Sequence, residues 1–121
     1  MGSIFVMSWN QTEVMEARQA ILETARSVLS EALSPIEGAR IIVKHCFTAR
    51  LDNDPDIVRI IGIASETDAL PLGSERQHWQ AKALTDLEPE ISEAQFWARK
   101  VGTMCLQNVL ARSADLLRWP N

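Results

Sequence analysis

The chain of 121 residues has the length of one ordinary domain. With 46% apolar and 23% charged residues it holds what a packed core requires, which excludes an intrinsically disordered chain. Its net charge of −4 denies it the general basic field by which proteins hold nucleic acid or anionic membranes, so neither partner is expected.

Residues 1–9 read as a leader or appended remnant, with Met7 as good a start as Met1, and residues 10–121 as a single helical domain. The opening MGSIFVM has no basic region ahead of it and is too short for a secretory signal, and no window of the chain approaches a membrane span. Cys46 and Cys105 fall inside helix-like apolar stretches and read as buried, reduced thiols, which places the protein in the cytoplasm. No cofactor or metal is expected. His45, Cys46, His78 and Cys105 lack paired ligand spacing, and the calcium-like DNDPD run has Ile57 and Ile63 where such a loop needs glycine and glutamate.

Asn10 with Glu13 resembles a capping box, and Val14, Ala17, Ile21, Ala25, Val28 and Ala32 then recur at helical spacing, widened by Leu22, Leu29 and Leu33. Ser34, Pro35 and Glu37 form the clearest start signal, an N-cap serine with proline at the first helical position and glutamate at the third. The second helix should carry Ile36, Ala39, Ile42, Val43, Cys46 and Phe47 inward, end near Arg50, and lie antiparallel to the first. Asp54 and Pro55 start a third helix with Ile57, Ile60, Ile61 and Ala64 on one face. A strand competes over residues 57–63, where β-branched residues concentrate round Gly62.

Thr67 to Trp79 holds Pro71 and Gly73 and no sustained period, so it should be a structured loop. A short helix over Gln80–Leu84 should precede a long last helix with Pro89 at its first position and Glu88, Glu90 and Glu93 facing its positive end. Ile91, Ala94, Ala98, Val101, Cys105, Val109, Arg112 and Leu116 trace one face of that helix. Its small residues Ala98, Gly102 and Cys105 point to close approach by a neighbour. The fold expected is all-α, a compact bundle of four to five helices with a long C-terminal helix and one Pro/Gly loop. Four tryptophans stand against no tyrosine. Core packing is favoured for them over an exposed interface anchor, with Trp9 and Trp119 meeting where the termini come together.

Charge is segregated along the chain. Asp52, Asp54, Asp56, Glu66 and Asp68 oppose only Arg59, so residues 52–68 carry the whole −4 while the other residues balance at eleven acids and eleven bases. One reading is structural: Asp54 and Asp56 cap the third helix, and Glu66 and Asp68 order the loop, in part by pairing with Arg76. The functional reading is an acidic surface of Asp52, Asp54, Asp56, Glu66 and Asp68 that steers a basic protein partner.

Ser65, Glu66, Thr67, Asp68, Leu70, Pro71, Gly73, Arg76 and Trp79 compose S-E-T-D-x-L-P-x-G-x-x-R-x-x-W, after a G-x-R helix at Gly38–Arg40 and a D-P-D turn. The segment resembles one in small bacterial α-helical proteins of no assigned activity, which implies a helical fold and a bacterial source. Physically it suits a loop held by an arginine–carboxylate pair through Arg76, with Trp79 as its apolar anchor.

Arg40 and His45 match the R-x4-H pattern and so resemble the helical HEPN ribonucleases. Five helical residues turn through about 500 degrees, so the pair converges only if the backbone breaks between them. Without such a break, Arg40 faces the loop or an acid. Ser65 or Thr67 with His78 is the one other conceivable nucleophile and base. The leading expectation is therefore a cytoplasmic protein-binding module, concretely an immunity-type inhibitor of a basic bacterial toxin. The alternatives are a small HEPN-like ribonuclease and a homodimeric scaffold whose long helix forms the interface.

Overall fold

The computed structural model describes residues 2–118, with side chains from Asn10 onward. Among these, five α-helices and one 3-10 helix occur and no strand: α1 (Gly2–Leu29), α2 (Pro35–Cys46), α3 (Pro55–Glu66), the 3-10 helix (Gly73–His78), α4 (Ala81–Ala111) and the short α5 (Ser113–Leu116). The all-α bundle with a long helix near its C-terminal end is as expected. Residues 57–63 are helix rather than strand, because the start signal at Asp54 and Pro55 settles the local conformation.

The two local start signals form as read. Ser34 is extended and accepts from the Glu37 amide, and Asp54 is extended and accepts from the amides of Asp56 and Ile57. Gln95 on α4 adds a cap from across the bundle, its Oε1 accepting from the Ile36 amide at 3.1 Å.

Helix ends differ from expectation. No helix starts at Asn10, because α1 already runs through it from Gly2. α1 stops at Leu29 rather than continuing to Leu33, and α2 at Cys46 rather than near Arg50. Both close by the same paired bonds. Ala32 donates to Ser27 and Glu31 to Val28 after α1, and Leu51 donates to Cys46 and Arg50 to Phe47 after α2. This Schellman arrangement needs a left-handed residue, supplied by Glu31 (φ 66°) and Arg50 (φ 59°) instead of the usual glycine. Phe47, expected in the core, therefore stands exposed past the end of α2, and Leu51 is buried in its place.

α4 is one unbroken helix, so neither the separate Gln80–Leu84 helix nor the start at Pro89 occurs. Pro89 removes the bond to the Thr85 carbonyl, a loss of roughly 3 kcal/mol in an isolated helix. Here Thr85 and Pro89 are both on the exposed side, where a carbonyl without its helical partner is open to water, while Leu87 and Ile91 pack against the core on the other side. Val101, placed on the inner face by its spacing, is exposed.

The four long helices meet where Val28, Ala39, Ile60, Ile63, Ala98 and Gly102 converge, leaving a gap of only about 10 Å3. Small residues allow this approach: a Cβ on Gly38 would run into Val28 Cγ2, and one on Gly102 would stand 3.2 Å from Ile63 Cδ1. Cys46 and Cys105 are free thiols buried in the core, and burial pushes both thiol pKa values up. No described helix is long and apolar enough to cross a membrane. The packing of Trp9 against Trp119 lies outside the described residues.

Arg18 sits among Val14, Ala17, Ile21 and Leu22 on the apolar stripe of α1 and is buried there. Its Nε donates to the Ala49 carbonyl at 2.9 Å and its Nη1 to the Leu116 carbonyl at 3.0 Å, so one side chain joins the ends of α2 and α5. Two helix C-termini are where a cation is best placed.

Candidate functional site

The five acids of residues 52–68 do not form one surface. α3 separates them: Asp52, Asp54 and Asp56 lie at its N-terminal end, Glu66 and Asp68 at its C-terminal end, roughly 16 Å away by helix rise.

The N-terminal group is used internally. Arg112, at the C-terminus of α4, grips Asp54 with Nη1 to Oδ2 at 2.6 Å and Nη2 to Oδ1 at 3.0 Å, and reaches Asp56 Oδ2 at 3.4 Å. Asn108 donates to the other Asp56 oxygen at 3.2 Å. Burial alone would raise the Asp54 pKa, but the bonds from Arg112 and from the Ile57 and Asp56 amides outweigh it and hold the carboxyl below its usual range. Asp54 and Asp56 are thus structural, and Asp52 is half-buried in the preceding turn.

The loop is held by Arg40 as well as by Arg76. Arg40 Nη2 donates to the Thr67 and Leu70 carbonyls at 2.7 and 2.9 Å, and Nη1 pairs with Glu75 at 2.7 Å. Arg76 instead pairs with Glu88 on α4 at 2.6 Å, which corrects its expected pairing with Glu66 or Asp68. Trp79 is 42% exposed, and the buried apolar residues of the segment are Pro71 and Leu72. The reason lies in the packing: Arg40 on α2 reaches the Thr67 and Leu70 carbonyls past the end of α3, whereas Arg76 on the 3-10 helix faces Glu88 of α4.

Arg40 and His45 are not brought together. α2 is unbroken between them; Arg40 lines a hollow with Asp68 and Glu75, whereas His45 lines another with Glu13 and Glu16 of α1. Thr67 is buried with its hydroxyl donating to the Ile63 carbonyl at 2.8 Å; Ser65, on α3, lines the hollow that also holds Asp68, and His78 lies on the exposed 3-10 helix. Among the described residues no three His, Cys, Asp or Glu side chains form a group that could hold a metal.

What the fold assembles at the other end of α3 was not read from the sequence. Glu66, Leu70, Glu90, Glu93, Ala94 and Trp97 line a surface hollow of about 480 Å3, together with Thr67 and Ala69. Its walls are the end of α3, the start of the loop and α4. Glu90, Ala94 and Trp97 fall at i, i+4 and i+7 on one side of α4, and that spacing was the available signal. It is hidden if Glu90 and Glu93 are placed in the first turn of a helix starting at Pro89. Because α4 starts at Ala81, those acids stand in mid-helix, where the helix dipole no longer accounts for them.

No family model, curated protein or solved structure matches this chain.

Of the five acids expected to bind a partner, only Glu66 lines this hollow; Asp68 turns to the opposite side of α3. The hollow has three carboxylates, no basic lining residue among those described, and an apolar floor. Such a site offers a cation both charge and dispersion contact.

Proposed function

We propose that the protein is a cytoplasmic binding module that takes a basic segment of a partner protein into the hollow between α3 and α4, as an immunity-type inhibitor takes a basic toxin. The observation that carries this reading is the set of Glu66, Glu90 and Glu93 round a floor of Leu70, Ala94 and Trp97. An arginine or lysine side chain matches both parts of it, since its stem is aliphatic and its head is a cation. Arginine fits better: its planar guanidinium stacks on an indole and binds carboxylates through two bonds at once. Rim carboxylates also speed the encounter with a basic protein, an effect that salt suppresses.

The test is affinity capture from the organism that makes the protein, with wild type beside the Glu66→Lys, Glu90→Lys variant. Both lysines would stand on the exposed rim, so helicity and melting temperature should stay unchanged. Retention of a basic protein by the wild type and its loss from the variant supports the reading. Capture of no basic protein, or equal capture by both, sinks it.

A further inference from the structure

The outermost face of α4 carries a second surface, which adjoins the hollow and shares Glu93 and Trp97 with it. Phe96 and Met104 are 69% and 68% exposed, and Trp97 and Val101 are 39% and 38% exposed, so four large apolar side chains crowd one stretch of a single helix. Exposed apolar residues usually occur singly, and a contiguous group marks an interaction surface. Charge along α4 is graded. Glu88, Glu90 and Glu93 precede the apolar group and Arg99 and Lys100 lie within it. Glu88 pairs with Arg76 and Arg99 with Glu31, whereas neither Glu93 nor Lys100 forms an ion pair among the described residues. These two are seven residues apart, two helical turns, and so share the face.

We propose that this face is the contact between two copies of the chain, with their α4 helices antiparallel across a two-fold axis that passes between Phe96 and Trp97. A two-fold contact must complement itself. In this arrangement Glu93 of each copy stands opposite Lys100 of the other, Phe96 opposite Trp97, and Met104 opposite Pro89. The parallel alternative sets Glu93 against Glu93 and Lys100 against Lys100, so charge selects the antiparallel pairing. Glu93 and Trp97 belong both to the hollow and to this face, so a second copy and a basic partner would compete for them, and sedimentation of the chain by itself reads the pairing of copies alone.

The experiment is sedimentation velocity on the full chain from low micromolar to millimolar concentration, with Glu93→Lys, Lys100→Glu, the double reversal and Phe96→Asp. The wild type should reach twice the chain mass of 13.5 kDa. Each single reversal should weaken the dimer about tenfold or more, the double reversal should restore it, and Phe96→Asp should leave a folded monomer. A wild type that stays monomeric throughout overturns the proposal. So does a dimer that the single reversals leave intact, or one that the double reversal fails to restore.

Discussion

Arg112 and Asp54, fifty-eight residues apart, tie the last turn of α4 to the first turn of α3 through two hydrogen bonds of 2.6 and 3.0 Å. The same carboxylate caps α3, so one side chain closes a helix start and a helix–helix junction at once. Arg112 is held more firmly protonated by this bond, and Asp54 more firmly ionised.

A pH dependence follows from the depressed Asp54 pKa. The folded carboxyl binds its proton less readily than the unfolded one, so its stabilisation is complete above the ordinary value of 3.8 and is lost as pH falls through the lower folded value. Chemical denaturation should show Asp54→Ala less stable than wild type by about 1–3 kcal/mol at neutral pH. The gap should narrow under acid conditions. Asp54→Asn, which keeps most of the cap, should show a shallower acid slope than wild type.

Three backbone positions should respond with opposite signs. Glu31→Gly relieves a left-handed residue and should stabilise by about 0.5–1 kcal/mol, even after loss of the exposed contact to Arg99. Gly62→Ala should stabilise by about the same amount, because its Cβ meets nothing within 4 Å in a helix interior. Gly38→Ala should instead destabilise by about 1–3 kcal/mol, since the methyl meets Val28. Thermal melts of the three variants test the set.

Arg40 should control loop order. Arg40→Ala leaves the Thr67 and Leu70 carbonyls without their shared donor, and the segment from Asp68 to Trp79 should become more open to limited proteolysis while the helical signal holds. Arg40→Lys should rescue little, because one ammonium cannot hold two carbonyls and Glu75 with the reach of a fork. Cleavage rates equal to wild type in both variants would show that the loop is held elsewhere.

Helix starts and inner faces were legible in the sequence. Ser34–Pro35–Glu37 and Asp54–Pro55 act within four residues, and the rows Val14–Ala17–Ile21 and Ile57–Ile60–Ala64 need only the helical period. Arg18 was legible in principle, as a basic residue on an apolar row. The small residues Ala98, Gly102 and Cys105 correctly announced a close neighbour, which is α3.

The helix ends, the partner of each arginine and the grouping of the acids were decided by tertiary packing. Glu31 and Arg50 take a conformation that their side chains disfavour, so no residue type marked those ends. Pro89 reads locally as a start, and becomes internal because Leu87 and Ile91 bury on the far side of the same helix. Arg40 meets Thr67 and Arg112 meets Asp54 across gaps in sequence that no local rule spans. The same packing divided the acidic segment, committing Asp54 and Asp56 to Arg112 and joining Glu66 to Glu90 and Glu93. Backbone hydrogen bonds and side-chain period are short-range and are written in order along the chain. Which charges face one another depends on how four helices come to rest.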